Sequence, residues 1–220
     1  PETVVAPATA TPSSAPATVA PNETSANAST APIDDTSVEA TPPHRRIHDG
    51  FYLSGSIGGG ARSATILGSE KLTVDGTGAG ASFHIGGAVA PNLILHGTVS
   101  TSLADDPEFS VGSMTVVADN ARLVFGAAGP GATYYVMPAN LYIGASVLMA
   151  QTSIEIDDQE VAKTEWGAGV LLRAGKDFWI ADRMLMGVGL EAFAANMSDQ
   201  NTTDEVEARA FNLVVNLAYD

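Results

Sequence analysis

The sequence contains no cysteine, which excludes disulfides and thiolate metal sites. No segment approaches the roughly 18 continuous apolar residues of a membrane-spanning helix. Positive charge is scarce: 10 Lys and Arg stand against 25 Asp and Glu, a net charge of −15. That balance argues against a nucleic-acid partner, which selects basic patches. Charge of either sign is thin, at 16% of residues beside 45% apolar ones, whereas a water-facing surface is about a quarter to a third charged. A basic-then-apolar leader is also missing, and the chain starts at Pro1, which reads as a signal peptide already removed.

Two compositions are present. Residues 1–43 are almost entirely Pro, Ala, Thr, Ser and a few acids. Such a segment buries too little apolar surface to offset chain entropy and is expected to be disordered. The character changes at "HRRIHDGFYLSGSIGGG", which sets a boundary near Arg46–Gly50 and divides the chain into a linker, 1–47, and a folded domain, 48–220.

Within the domain, "AVAPNLILHGTVST" (88–101), "YVMPANLYIGASVLMA" (135–150) and "WIADRMLMGVGLEAFA" (179–194) each set a short polar turn between two alternating runs. This is a hairpin signature, repeated roughly every 45 residues. The connections between the copies, such as "GSEKLTVDGTG" and "ADDPEFSVGSMTVVADN", are long, polar and rich in acids. Eight strands follow, at about 50–66, 79–90, 93–104, 121–137, 141–156, 166–180, 184–196 and 205–219. Short and long connections alternate. The short turns therefore share one end of an up-and-down meander with both chain ends.

After Pro138-Ala139-Asn140, every second residue is apolar (Leu141, Ile143, Ala145, Val147, Met149), and those between are small or weakly polar (Tyr142, Gly144, Ser146). The less apolar faces, for example Tyr52-Ser54-Ser56-Gly58 and His96-Thr98-Ser100-Ser102, are too poor in charge for water and too polar for a dry core. They suit the narrow interior of an eight-stranded barrel. The apolar face then meets lipid, because only a closed barrel leaves no unpaired strand edge in hydrocarbon. The expected fold is all-β: an eight-stranded antiparallel transmembrane β-barrel. Extending the alternation puts Phe51, Tyr135, Phe178 and Tyr219 on the lipid face near the short turns, as an aromatic girdle. Phe83, Phe125 and Trp166 suggest a sparser ring toward the long loops.

On this pattern residues 48–220 resemble a small bacterial outer-membrane β-barrel of the OmpA, OmpX or OmpW kind. The last strand, "ARAFNLVVNLAY", looks like that family's C-terminal assembly signal, although it is followed by Asp220 instead of ending in Phe. The resemblance implies a Gram-negative outer-membrane location, a periplasmic tail and extracellular long loops. It also implies contact with outer-membrane lipid and lipopolysaccharide, insertion by the barrel assembly machinery, and a monomer.

Chemistry is sparse. Some small barrels modify lipid A, and here His84 and His96 fall on inward faces near Ser82, Ser100 and Ser102, where an imidazole and a hydroxyl could meet. Polar lumen residues held by Ser, Thr or water are the simpler reading. The acids of "LADDPEF", "IDDQE" and "TTDEVE" suit hard cations but show no fixed ligand spacing. No cofactor or metal is therefore expected. A turn about Asp182 makes residues whose numbers sum to 364 cross-strand neighbours, so Arg173 should meet Glu191 as a lumen ion pair, with Arg62 and Arg122 as further lumen members. The expected role is non-enzymatic: structural, surface-interacting or a narrow conduit. The alternatives are OmpW-like transport of small apolar molecules and, third, a lipid A-modifying enzyme.

Overall fold

A computed structural model describes residues 46–68, 70–117, 120–157, 159–200 and 204–220. The expected disorder of the linker thus lies almost wholly outside the described residues. Eleven strands are present: β1 (Phe51–Leu67), β2 (Lys71–Ala90), β3 (Leu93–Asp105), β4 (Glu108–Val111), β5 (Met114–Val117), β6 (Ala121–Val136), β7 (Leu141–Ile156), β8 (Gln159–Lys163), β9 (Gly167–Trp179), β10 (Met184–Ser198) and β11 (Glu205–Tyr219). Eight of them, β1, β2, β3, β6, β7, β9, β10 and β11, pair antiparallel in chain order, and β1 closes the ring by pairing with both β2 and β11. Closure removes the unpaired edges that an open sheet would carry.

The three short strands rise from the long connections. β4 pairs with the outer part of β2 and with β5, while β8 folds back on β7. The first connection differs from the sequence expectation, since residues 71–78 continue β2 against β1, with Lys71 already facing Leu67. Thr65 faces Thr73 and Ile66 faces Leu72 there, pairs that β-branched and aliphatic side chains favour.

Exposure alternates residue by residue, most regularly in β10, and it is inverted relative to a water-soluble protein. Ile57, Val147 and Leu213 are 70%, 67% and 65% exposed, whereas Arg62, His84, Arg173 and Glu191 are at most 3% exposed. The outward apolar run covers about 11 residues per strand, the length needed to cross hydrocarbon at a tilt. It gives way to Ser63, Asp75, Asp105, Asn196 and Arg209 toward the long connections. On β1, Gly60 permits a close approach to β11, because a Cβ there would overlap the Phe211 carbonyl.

Girdle positions Phe51, Phe178 and Tyr219 are exposed on the outward face, as are Phe83 and Trp166. Tyr135 is not: it is buried, and Tyr134 and Val136 point outward instead. Phe125 is likewise buried, and Arg122 lies outside, its guanidinium 2.7 Å from Asp105. All three corrections fall on β6 and have one cause. The stretch "GAAGPGAT" is small on both faces, so it carries no alternation to transmit phase, and a one-residue slip flips every side chain. The partner strand decides: Tyr135 is paired with inward-facing Tyr142.

Candidate functional site

Three layers of inward side chains fill the barrel. At the short-turn end the first is a polar and aromatic plug around Asp177. Its carboxylate accepts from the Tyr135 hydroxyl at 2.8 Å and from Asn216 Nδ2 at 2.7 Å, and the Tyr52 hydroxyl lies 3.3 Å from that of Tyr135. His48, just before β1, closes the mouth. Its ring stacks on Tyr135 with centroids 3.7 Å apart, its Nε2 is 2.9 Å from Asn140 Oδ1, and its backbone N–H donates to Asn92 Oδ1 at 3.2 Å. Asn92 and Asn140 are turn residues with φ of 64° and 53°, a region that Asn tolerates better than most residues. The residues that turn the chain therefore also hold the plug.

The second layer is a polar belt. His84 and His96 both reach Thr98 Oγ1, at 3.1 and 3.0 Å, and His96 also reaches Thr133 Oγ1 at 2.9 Å. The serine hydroxyls go elsewhere: Ser56 and Ser82 donate to the Glu191 carboxylate at 2.8 and 2.9 Å, and Ser82 sits 3.1 Å from Ser100. No imidazole–serine couple forms among these residues. Arg62 folds down the wall to donate to the Gly60 and Gly78 carbonyls and to Asn212 Oδ1.

Arg173 and Glu191 are direct cross-strand neighbours and both face inward, but the expected ion pair is not formed. The Arg173 guanidinium lies 4.9 Å from the centre of the Tyr142 ring, and its three nitrogens have no hydrogen-bond partner among the described residues. The carboxylate is held by serines from β1 and β2, so the turn sets the register while side chains from the far wall decide the contact.

Toward the long connections the third layer is apolar. Phe125 and Phe193, with centroids 6.1 Å apart, pack with Leu123, Leu148, Leu171 and Met197. Two voids inside the barrel measure about 10 and 20 Å³, room for about one water each at most. Open clefts lie beyond this core. One of about 590 Å³ is flanked by Asp75, Asp105, Glu108 and Arg209. Another, of about 390 Å³, is lined by Asp105, Asp106, Arg122, Glu155 and Asp157. Above them the β4–β5 hairpin exposes Met114, Val116 and Val117.

The sequence reading passed over His48, Tyr142 and Asp177. The signal for Asp177 was available, since the phase that turns Arg173 inward also turns Asp177 inward four residues on. His48 gave none, because it precedes the first strand.

No protein-family model matches the chain, and no curated protein matches its sequence. Solved structures do match. The crystal structure of Neisserial surface protein A has 12% identity, covers 78% of this chain and 97% of its own, and has a TM-score of 0.54. The outer membrane protein OprG of Pseudomonas aeruginosa has 13% identity, with 78% and 97% covered and a TM-score of 0.44. Strand number, closure, inverted exposure and the likeness to Neisserial surface protein A together give the chain the fold of the small eight-stranded outer-membrane β-barrels.

Proposed function

We propose that this protein is a non-enzymatic barrel of the Gram-negative outer membrane whose role is structural and surface-interacting, exercised through its long connections. The observation that carries the reading is the filled lumen. Ions or small apolar molecules would have to pass the plug around Asp177 and then the Phe125–Phe193 core, whereas the clefts and the β4–β5 hairpin lie open at one end. Loops on a rigid scaffold are where recognition concentrates. In this reading the long connections are extracellular, the 1–47 linker enters the periplasm, and the barrel is inserted by the assembly machinery as a monomer.

The test is planar-bilayer recording with full-length protein. The reading expects a silent membrane, and stable unitary currents at modest voltage would replace it with a conduit. Unchanged lipid A on overexpression is the second expected result, and a modified lipid A would point to the enzymatic alternative.

A further inference from the structure

Lys176 is the one charged residue on the outward face of the apolar band among the described residues. Its cross-strand neighbours are Leu141 on β7 and Val188 on β10, both lipid-facing. An ammonium on such a wall is costly unless its stem carries it to the interface. The geometry takes it there, for Nζ lies 5.3 Å from the centre of the Phe178 ring, one outward position closer to the turn and part of the girdle.

No carboxylate among the described residues receives it. Asp177, next in sequence, points through the wall into the lumen, where Tyr135 and Asn216 occupy its oxygens. Lys176 forms no salt bridge with any described residue. Two more cations share this arc of the rim, each set beside an aromatic ring. Arg183 Nη1 is 3.5 Å from the Tyr219 hydroxyl, and the Arg46 guanidinium is 5.3 Å from the centre of the Trp179 ring. The exposed acids here are Asp49 and Asp182, and Asp220 is buried against His48.

We propose that Lys176 over Phe178 is the centre of a binding site for an anionic phospholipid, in the leaflet at the short-turn end. The phosphodiester accepts from Nζ, the acyl chains lie along Leu141 and Val188, and Arg183 is the second cation. The site rests on the bilayer-spanning reading, which liposome flotation checks separately.

The experiment is native mass spectrometry of the full chain released from micelles doped with phosphatidylglycerol or phosphatidylethanolamine, with heat-modifiable gel migration confirming that each variant is folded. Wild type should retain phosphatidylglycerol in preference to phosphatidylethanolamine. Lys176→Leu should lower that retention about fivefold, the worth of one basic residue at an anionic surface, and Lys176→Arg should restore it. Equal retention by wild type and Lys176→Leu, or no preference between the two lipids, overturns the site. Soluble glycerophosphoglycerol competing as well as the lipid overturns the lipid as ligand. If wild type fails to float with liposomes, the membrane reading falls and the site with it.

Discussion

His48 Nδ1 lies 2.6 Å from the Asp220 carboxylate, and both side chains are buried. The contact joins the residue before the first strand to the residue after the last, at the seam where β1 meets β11. It is a close approach rather than an aligned hydrogen bond, and between them the two residues reach all three short turns, His48 those of Asn92 and Asn140 and the Asp220 N–H the carbonyl of Arg183. Removing one partner so that a buried polar group is left unsatisfied costs about 1–3 kcal/mol. His48→Ala and Asp220→Ala should each lower unfolding free energy by that order in urea titrations of micelle-bound protein. A loss below about 1 kcal/mol, the worth of an exposed pair, would show the seam to be held by the strand ladder alone.

The same contact sets how far the linker can be removed. A chain beginning at Arg46 keeps the His48 plug and should refold with unchanged gel migration. One beginning at Phe51 should refold with a lower thermal midpoint. Equal midpoints for the two would locate the whole stability of the mouth in Tyr52, Tyr135 and Asp177.

Tyr142 crosses the lumen floor to lie on Gly189, where a Cβ would overlap its hydroxyl. Gly189→Ala should therefore cost about 1–3 kcal/mol through overpacking. With Tyr142→Leu in place the same change should cost clearly less, the Ala174 carbonyl, 2.9 Å from the added Cβ, being the obstacle that remains. The double-mutant cycle reads this directly, and strict additivity would mean that the ring is not what fills the site.

Two arginines that look alike in the sequence should behave differently. Arg62 is 2% exposed and donates three hydrogen bonds, so Arg62→Ala should cost at least about 1.5–3 kcal/mol. Arg122 pairs with Asp105 at an exposed site, where such a pair is worth about 0–1 kcal/mol. Equal losses in urea would place Arg122 in the barrel interior.

Trypsin applied to intact cells should cut at Lys71, at the outer end of β2, and spare Arg183, in a short turn. The reverse pattern would invert the proposed orientation.

The number and order of the barrel strands, the short turns and the greasy outer face were legible in the sequence, whereas the first of the connections read as long is taken up by β2. Each depends on local alternation and turn residues, and the period of two survives in the chain wherever large apolar and polar residues take turns, as in β7 and β10. What the sequence left open is non-local. The phase of β6 is set by Tyr142 across the ladder, because glycine, alanine and proline in "GAAGPGAT" contrast too little to carry it, and the placements of Tyr135, Phe125 and Arg122 turned on that. The Arg173–Glu191 register follows from a three-residue turn, yet their contact was decided by Ser56 and Ser82, 135 and 109 residues from Glu191 in the chain. The place of His48 in the mouth, beside Asp220, exists only once β1 and β11 close the barrel. Backbone pairing is fixed by near neighbours and pattern, while side-chain partners inside a closed lumen come from every wall at once.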